Sequence, residues 1–252
     1  MIENHQEKTD LEEIINEAYS LYMPQVRSEI TEFYIFLNQH YGLTKKSDPY
    51  NILEIGTKFG GTFYLWCMMN KSTGLNISID MDDGGRHGGI DEKKMDERDK
   101  WFNQRFANCK FIRGNSHSLE TWNDLVAMVH GDHEELIHFI DKGRRKDWSA
   151  MHEPCIDFLF IDGDHTYEGV KQDFEMYRQF VKSGGIVAFH DIKNTQRHRD
   201  RQVEVEKFWN EITKVRMAND PEICMIDGQE YRVLEFSDPI FDWGGVGILI
   251  TK

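Results

Sequence analysis

From residue 51 onward, the sequence alternates short apolar runs with longer segments in which apolar residues recur at helical spacing. We interpret the apolar runs as strands at 51–55, 76–80, 110–113, 157–161, 185–189, 231–236 and 245–250, with a weaker one at 222–226. The segments with helical spacing are 61–70, 92–107, 118–130, 166–182 and 199–216. This alternation predicts an α/β fold on a doubly wound, mostly parallel sheet with a closing antiparallel hairpin.

The first 48 residues have a different pattern, which predicts helices without strands. Their apolar residues recur at helical spacing in two runs: Leu11, Ile14, Ile15, Ala18, Leu21 and Tyr22, then Ile30, Phe33, Leu37 and Tyr41. We therefore divide the chain into an N-terminal helical extension, 1–48, and a main domain, 49–252. The extension could cover the sheet, cover a cofactor or form a homodimer contact.

Two other stretches carry structural expectations. The helix at 166–182 should bury Val170, Phe174, Tyr177 and Val181 and end at Gly184, because glycine is favoured just after a helix. The long connection at 131–155 mixes charges with little periodicity, and we expect an insertion with one short helix there.

The overall charge limits the classes of partner. The 252 residues include 30 basic and 44 acidic ones, which gives a net charge of −14. Such a surface repels phosphate backbones and anionic lipids, so we expect neither nucleic acid nor a membrane as partner. No apolar run approaches the roughly 18 residues of a membrane-spanning helix. The acidic N-terminus is unlike a signal peptide, and the four scattered cysteines fit reduced, packed thiols in a cytoplasmic protein.

Polar side chains follow two neighbouring apolar runs near the middle of the chain. The run at 157–161 leads into Asp162-Gly-Asp-His165, and the run at 185–189 leads into His190-Asp191. In a parallel sheet, both groups emerge at the same carboxyl edge, where open α/β sheets bind ligands. Carboxylates and imidazoles gathered there predict chemistry around a metal ion. Asp164 is the exception, since it is well placed to cap the helix that starts at Thr166.

The first strand runs into a glycine-rich turn, Glu54-Ile-Gly56-Thr-Lys-Phe-Gly60-Gly61, followed by a helix. Glycines allow a tight turn and a close approach of the backbone to a ligand. The pattern is GxxxGG instead of the dinucleotide fingerprint GxGxxG, which weakens a nicotinamide or flavin interpretation. The acidic Glu54 suits a cationic ligand. Asp80 ends the second strand, where a carboxylate can hold ribose hydroxyls, and Asn115 or Ser116 follows the third strand, where either could bind an adenine edge.

In this order and spacing, the motifs resemble those of class I S-adenosylmethionine-dependent methyltransferases, which have a Rossmann-like fold. ILEIGTKFGG resembles their first motif, ISID the second, FIRGNS the adenine loop and GGVGILITK the added hairpin strand. The resemblance implies that Glu54, Gly56, Gly60 and Gly61 line the methionine portion of S-adenosylmethionine. It also implies that Asp80 binds the ribose, that Asn115 or Ser116 binds the adenine, and that Asp162 borders the cofactor.

The polar groups after the fourth and fifth strands resemble those of metal-dependent O-methyltransferases, in particular the macrolide-sugar and cephalosporin-hydroxylase-like groups. The resemblance implies that Asp162 and Asp191 bind a divalent metal, Mg or Mn, and that His165, in a D-x-x-H spacing, is the catalytic base beside Asp162. His190 stands where those enzymes place a carboxylate. It is expected either as a third metal ligand, which would favour manganese, iron or zinc, or as a donor behind the ligands.

The function expected from these features is methylation of a small hydroxylated substrate, such as a sugar or sugar-bearing metabolite. The alternatives are N-methylation, cephalosporin-hydroxylase-like chemistry, a nicotinamide oxidoreductase and a non-catalytic nucleoside-binding module. The loop 81–89, with Arg86 and His87, and the basic stretch 193–201 could shape the substrate pocket, although 193–201 could equally be a solvated helix entrance. The other histidines are expected on the surface or in loops: His87, His117, His130, His133, His138, His152 and His198.

Overall fold

The computed structural model of the protein describes residues 5–44, 50–70, 74–82, 89–130 and 153–252, apart from the side chains of 5–8 and 42–44. The strands are β1 (Ile52–Ile55), β2 (Asn76–Asp80), β3 (Cys109–Arg113), β4 (Ile156–Ile161), β5 (Val181–His190), β6 (Arg216–Met217), β7 (Asp220–Ile226), β8 (Gln229–Phe236) and β9 (Val246–Thr251). The helices are α1 (His5–Ser20), α2 (Arg27–Thr44), α3 (Gly61–Met69), α4 (Glu92–Asn103), α5 (Leu119–His130), α6 (Tyr167–Tyr177), α7 (Gln196–Asp200) and α8 (Val205–Thr213).

The described strands form one sheet in the order β3-β2-β1-β4-β5-β9-β8-β7-β6. The first five strands are parallel, and β9, β8, β7 and β6 continue the sheet in antiparallel pairs. The predicted α/β class, with a mostly parallel Rossmann-like sheet and a closing antiparallel hairpin, is confirmed. All residues of β1 and β4 are buried, as expected for central parallel strands that helices cover on both faces.

The N-terminal helices cover one face of this sheet. Phe33 of α2 packs against Trp66 of α3 and against Phe158 of β4 and Phe236 of β8, with ring centroids 5.4 to 5.9 Å apart. The opposite face is covered by α5, α6 and α8, whose apolar residues include Trp122, Phe174 and Trp209. Of the three roles left open for the extension, covering the sheet is therefore observed. The domain boundary near residue 48 and the homodimer remain predictions.

The predicted helix at 166–182 is too long. It ends at Tyr177 and continues only as a 3-10 turn, Arg178–Phe180, before β5 begins at Val181. Gly184 does not end the helix but lies inside β5 with φ +76°. Around Gly184, the pairing of β5 with β4 shifts from Ile156↔Val181 to Phe158↔Ile186. Gly184 therefore adopts its left-handed conformation in a β-bulge.

The predicted helix at 199–216 is two helices. Thr195 caps α7 by accepting a hydrogen bond from the backbone N–H of His198, and α8 begins only at Val205. Between them, Gln202 adopts φ +58°, a left-handed conformation that interrupts the helical path. Most of the predicted insertion, 131–152, lies outside the described residues.

The packing of Phe33 allows a test of whether α2 belongs to the same cooperative unit as the sheet. We expect Phe33→Ala to lower the free energy of unfolding by about 3–5 kcal/mol, because it opens a cavity among large aromatic side chains. Ile35→Ala on the same helix is the control, since Ile35 is 37% exposed and should change stability by less than about 0.5 kcal/mol. Urea denaturation followed by tryptophan fluorescence measures both. An unchanged main transition in Phe33→Ala would mean that the extension folds separately.

Candidate active site

The strand order brings the predicted site residues to one edge of the sheet. The strands β3, β2, β1, β4 and β5 are consecutive neighbours and parallel, so their carboxyl ends lie side by side. Along this edge follow Asn115, Asp80, Gly56, Asp162 and Asp191. An elongated ligand could therefore contact the first four strand ends in turn, with its last portion beside the fifth.

The glycine turn after β1 packs tightly against the end of β4. Gly56 has φ +89°, and a Cβ added there would lie 2.1 Å from the carbonyl oxygen of Asp162. Gly60 begins α3 with φ +91°, and a Cβ there would lie 2.5 Å from the ring of Phe102. Both positions thus require glycine for conformation and for space. Lys58, between them, also adopts a left-handed conformation, with φ +51°.

Glu54 lies beneath this turn and is fully buried. One carboxyl oxygen accepts a 2.5 Å hydrogen bond from the hydroxyl of Thr62, and the other has no partner among the described residues. Burial raises the pKa of Glu54 well above its ordinary value, and the nearby charges of Asp162 and Asp80 raise it further. The protonated form is therefore favoured at Glu54, with two acidic neighbours around the turn.

Asp80, predicted to bind ribose, is held at the end of β2 by several donors. Its carboxylate accepts hydrogen bonds from the backbone N–H of Lys58 at 2.8 Å and of Met81 at 3.0 Å, and from the buried guanidinium of Arg98 at 2.5 Å. Burial raises the pKa of Asp80, and the charge of Arg98 only partly offsets this effect. Arg98, on α4, is a site residue that the sequence analysis missed.

The predicted adenine-binding residues lie next to Asp80. The backbone N–H of Gly114 donates to the carbonyl of Asp80 at 2.9 Å, which places the following loop beside the end of β2. Asn115 is exposed, and its side-chain oxygen accepts from the backbone N–H of His117. The carbonyl of Ser116 accepts a 2.7 Å hydrogen bond from the hydroxyl of Tyr177, which fixes the loop from below.

Three of the predicted residues after β4 and β5 come together as a candidate metal site. The side-chain ligand atoms of Asp162, His165 and Asp191 all lie within 4.8 Å of one another. His165 Nε2 is 3.0 Å from Asp162 Oδ1 and 3.5 Å from Asp191 Oδ2. The His165 side chain is 38% exposed, whereas both carboxylates are nearly buried. The imidazole is therefore the member of this group that is most open to an incoming molecule.

His190, the third predicted ligand, sits deeper. Its Nδ1 is 3.4 Å from Asp162 Oδ1 and 3.2 Å from Asp191 Oδ1. Its Nε2 is buried and lacks a hydrogen-bond partner within the described part of the chain. The candidate group of three contains His165, although His190 Nδ1 lies about as close to both carboxylates. The roles of His190 as a third ligand or as a donor behind the ligands both remain predictions.

The electrostatics of this cluster favour charge separation. Burial would raise the pKa of Asp162 and Asp191, but the charge of His190 and hydrogen bonds from the histidines leave both pKa values lowered. Burial would lower the pKa of His165 and His190, but the two carboxylates leave both raised. The carboxylates are therefore stabilised as anions by neighbouring protonated groups. A bound cation could replace those protons, as metal binding generally does.

Two further residues at the site were not expected. His198 was predicted to be a surface or loop residue, but it lies on α7 and is only 4% exposed. Its Nδ1 lies 2.7 Å from the carbonyl of Lys193, and its Nε2 lies 3.2 Å from Asp191 Oδ1. Gln25, between α1 and α2, donates a 2.8 Å hydrogen bond from Nε2 to Asp162 Oδ2. Asp191 itself adopts φ +63°, a left-handed conformation that aspartate tolerates better than most residues.

The remaining candidates contribute less to this site. Asp164 was predicted to cap the helix at 166, but Thr166 is the cap of α6, which begins at Tyr167. Asp164 instead accepts a hydrogen bond from the backbone N–H of Thr166. In the basic stretch 193–201, Lys193 donates to the backbone carbonyl of Asp238 at 2.7 Å. Arg86 and His87 lie outside the described residues.

Comparison with known proteins adds independent findings. A family model described as a methyltransferase domain matches residues 53–192. An O-methyltransferase from Bacillus cereus in complex with SAH has a similar structure, with a TM-score of 0.53 and 17% identity over 96% of this chain and 91% of that one. The SAH-bound methyltransferase PaMTH1 from Podospora anserina gives a TM-score of 0.52 and 16% identity, over 96% and 87%. These likenesses show the fold.

Two curated relatives match parts of the chain. An uncharacterized protein of Acanthamoeba polyphaga mimivirus is 28% identical over 152 residues, which are 60% of this chain and 55% of that protein. An uncharacterized protein of Sinorhizobium fredii is 23% identical over 171 residues, 67% of this chain and 15% of that protein. The chain thus spans well under two thirds of either relative. Among the described residues, no helix has the length and apolar character needed to cross a membrane.

The burial of Glu54 generates a prediction about pH dependence. We expect Glu54→Gln to be at least as stable as the wild type at neutral pH, because the amide has no charge to bury. In the wild type, the folded protein retains a proton that the unfolded chain releases above its ordinary pKa of 4.5. The retained proton therefore contributes fully to the free energy of unfolding below that pH. This contribution decreases as the pH rises toward the raised pKa of the folded state. Urea titrations across this pH range should show a flatter profile for the variant.

Glu54→Ala is the matched comparison. It leaves the hydroxyl of Thr62 without its acceptor and opens a cavity, so we expect a loss of about 1–3 kcal/mol across the same pH range. A Glu54→Gln variant with the wild-type pH profile would contradict a protonated Glu54.

Proposed function

Because the chain belongs to this family of methyltransferase domains, we propose that it transfers a methyl group from S-adenosylmethionine to a hydroxyl oxygen of a small molecule, assisted by a divalent metal ion. The family and fold that the motifs predicted, those of class I S-adenosylmethionine-dependent methyltransferases, are confirmed. The nicotinamide alternative is thereby disfavoured.

The observation that carries this proposal is the convergence of Asp162, His165 and Asp191 beside the glycine turn. Their ligand atoms lie within 4.8 Å of one another, and the backbone of Asp162 is in close contact with Gly56. A cofactor bound at the turn would therefore present its reactive end to this cluster. A substrate hydroxyl held by the cluster would then be close to the methyl group, and methyl transfer requires the oxygen, the methyl carbon and the sulfur to be aligned.

The charges around the turn favour S-adenosylmethionine over a dinucleotide. Glu54, Asp80 and Asp162 surround the turn closely enough to influence one another's protonation. The carboxylates of Asp80 and Asp162 would repel a pyrophosphate and attract a sulfonium or an ammonium, and a cationic ligand would in turn favour the ionised form of Glu54 over its protonated form. We assign the methionine portion to Glu54, Gly56, Gly60 and Gly61, with Asp162 at its end. The ribose is assigned to Asp80 and the adenine to Asn115 or Ser116.

The residues of the cluster can divide the chemistry among them. Asp162 and Asp191 would hold the ion, with the buried His190 as a donor behind them. When bound, the metal would orient the substrate hydroxyl and lower its pKa. His165, the more exposed histidine, would accept the hydroxyl proton as the oxygen attacks the methyl carbon, and the bond to sulfur breaks to leave S-adenosylhomocysteine.

The donor set fits such an ion. The two carboxylates suit Mg or Mn, and an imidazole among the ligands would favour Mn over Mg. Asp191 Oδ1 is buried and lies 3.2 Å from both His190 Nδ1 and His198 Nε2, so a cation bound there would take over the stabilisation of the carboxylate that these imidazoles supply in its absence. The same geometry also permits His165 to be the third metal ligand instead of the base.

The acceptor class belongs to this proposal as well. We favour a small hydroxylated molecule, with a sugar or a sugar-bearing metabolite as the first class to test, because the D-x-x-H spacing of Asp162 and His165 resembles the sugar O-methyltransferases. The Bacillus cereus neighbour, described as an O-methyltransferase, is consistent with transfer to oxygen.

The cofactor assignment is tested by calorimetry. We expect S-adenosylhomocysteine to bind, and Asp80→Asn to weaken its binding by roughly tenfold or more, because a charged hydrogen bond contributes about 1.5–3 kcal/mol. Glu92→Gln, an exposed substitution on α4, should not change the affinity. Tight binding of NADH together with no binding of S-adenosylhomocysteine would overturn the assignment.

The metal site and the base are tested together. We expect Asp162→Asn and Asp191→Asn to abolish Mn²⁺ binding, measured by calorimetry, and a chelator to stop methyl transfer to an accepted hydroxylated substrate. His165→Ala should lower turnover by roughly 10²–10⁴-fold with Mn²⁺ affinity retained. Loss of Mn²⁺ affinity in this variant would instead make His165 a ligand. The half-buried His40→Ala, on α2, is the control, since His40 contacts the carbonyl of Gly184 and none of the three clustered residues. Unchanged turnover after chelation would exclude the ion.

A further inference from the structure

Gln25 reaches the candidate metal site from a part of the chain that no motif marks. It lies in the segment 21–26 that joins α1 and α2, and its side chain is buried, with the residue only 6% exposed. Its Nε2 donates a 2.8 Å hydrogen bond to Asp162 Oδ2. The other oxygen, Asp162 Oδ1, faces His165 Nε2 at 3.0 Å.

We propose that Gln25 is a positioning residue for the metal site, which holds one oxygen of Asp162 so that the other is presented to the ion. This inference rests on the proposed function, since it requires Asp162 to be a ligand. It extends that function, because a residue of the N-terminal segment would then orient one of the metal ligands.

The chemistry of the amide suits this role. An arginine or lysine in the same place would also donate to Asp162, but its positive charge would compete with the cation for the carboxylate. The amide of Gln25 donates a hydrogen bond without adding charge, so the full negative charge of Asp162 remains available. Partners that orient a ligating carboxylate in this way are a general feature of metal sites.

The Gln25 side chain is oriented by Asp162 and by little else. Its Oε1 is buried and has no hydrogen-bond partner among the residues described. In the orientation that lets the NH₂ group donate to Asp162, the amide oxygen therefore accepts no hydrogen bond. A residue that served only to fill space would not need this arrangement. An isosteric apolar side chain would pack there without an unsatisfied oxygen.

The segment that carries Gln25 is itself fixed on the cofactor turn. The hydroxyl of Tyr19 donates a 2.7 Å hydrogen bond to the backbone carbonyl of Gln25. Two residues earlier, Met23 packs against Gly61, where an added Cβ would lie 2.6 Å from the Met23 Cβ. One short segment therefore contacts both the glycine turn and the candidate ligand Asp162, and it links their positions.

The test uses Mn²⁺ alone as the probe, in the 252-residue protein without substrate. We expect Gln25→Met, which keeps the volume and removes the donor, to weaken Mn²⁺ binding by about ten- to a hundredfold in calorimetry. The affinity for S-adenosylhomocysteine and the urea midpoint should stay near the wild-type values. Tyr19→Phe, which loosens Gln25 without removing it, should weaken Mn²⁺ binding by a smaller factor.

Ser28→Ala is the matched control, because Ser28 lies in the first turn of α2 and its hydroxyl donates to Asp238 instead of to Asp162. Wild-type Mn²⁺ affinity in both Gln25→Met and Tyr19→Phe would overturn the inference while leaving the proposed function intact. A Gln25→Met variant that unfolds, together with a Tyr19→Phe variant of normal Mn²⁺ affinity, would reduce Gln25 to a structural residue. A wild-type protein that does not bind Mn²⁺ would overturn both the metal-assisted function and this inference.

Discussion

The close contact between the backbones of Gly56 and Asp162 is the constraint on which the rest of the site depends. The two residues follow the paired strand ends Ile55 and Ile161, and a Cβ on Gly56 would lie 2.1 Å from the Asp162 carbonyl. Any other residue at position 56 would push the two turns apart. The glycine therefore does more than admit a cofactor, because it keeps the proposed methyl donor next to the candidate metal carboxylate.

This arrangement concentrates carboxylates at one edge of the sheet. Some of these carboxylates have cationic partners that offset their mutual repulsion, and one does not. Asp80 is paired with Arg98, and Asp162 and Asp191 are surrounded by histidines, whereas the one hydrogen bond that a described residue donates to Glu54 comes from the hydroxyl of Thr62. Burial of unpaired charge is costly, so the site is complete only when protons or cationic ligands are present. A metal ion and a sulfonium would each supply positive charge where the structure concentrates negative charge.

The sequence predicted those parts of the fold that local pattern determines. Apolar runs located the strands, and the polar residues that follow them located the site, because neighbouring parallel strands end at the same edge. The predicted end of the helix at 166–182 was wrong because residues 178–182 continue the helical spacing of apolar residues. In addition, a glycine such as Gly184 can follow a helix or form a bulge in a strand, as it does in β5. Gln25 could not be predicted, since its hydrogen bond joins segments 137 residues apart. Arg98 and His198 lie closer in the chain to Asp80 and Asp191, but these contacts depend on how a helix packs against the end of a strand, which local pattern does not determine.

These distant contributions bear on where specificity arises. The family match covers residues 53–192, yet Gln25 and His198 lie outside it and contact the two carboxylates of the candidate site. Glu29 of α2, also outside the match and buried, accepts 2.7 Å hydrogen bonds from the backbone N–H groups of Asp238 and Gly245. It thereby joins the N-terminal helices to the loop before β9. Because the matched region supplies the strand ends and the flanking regions surround them, changes in the flanks would act on the candidate site through Gln25 and His198, and through Met23 on the glycine turn as well.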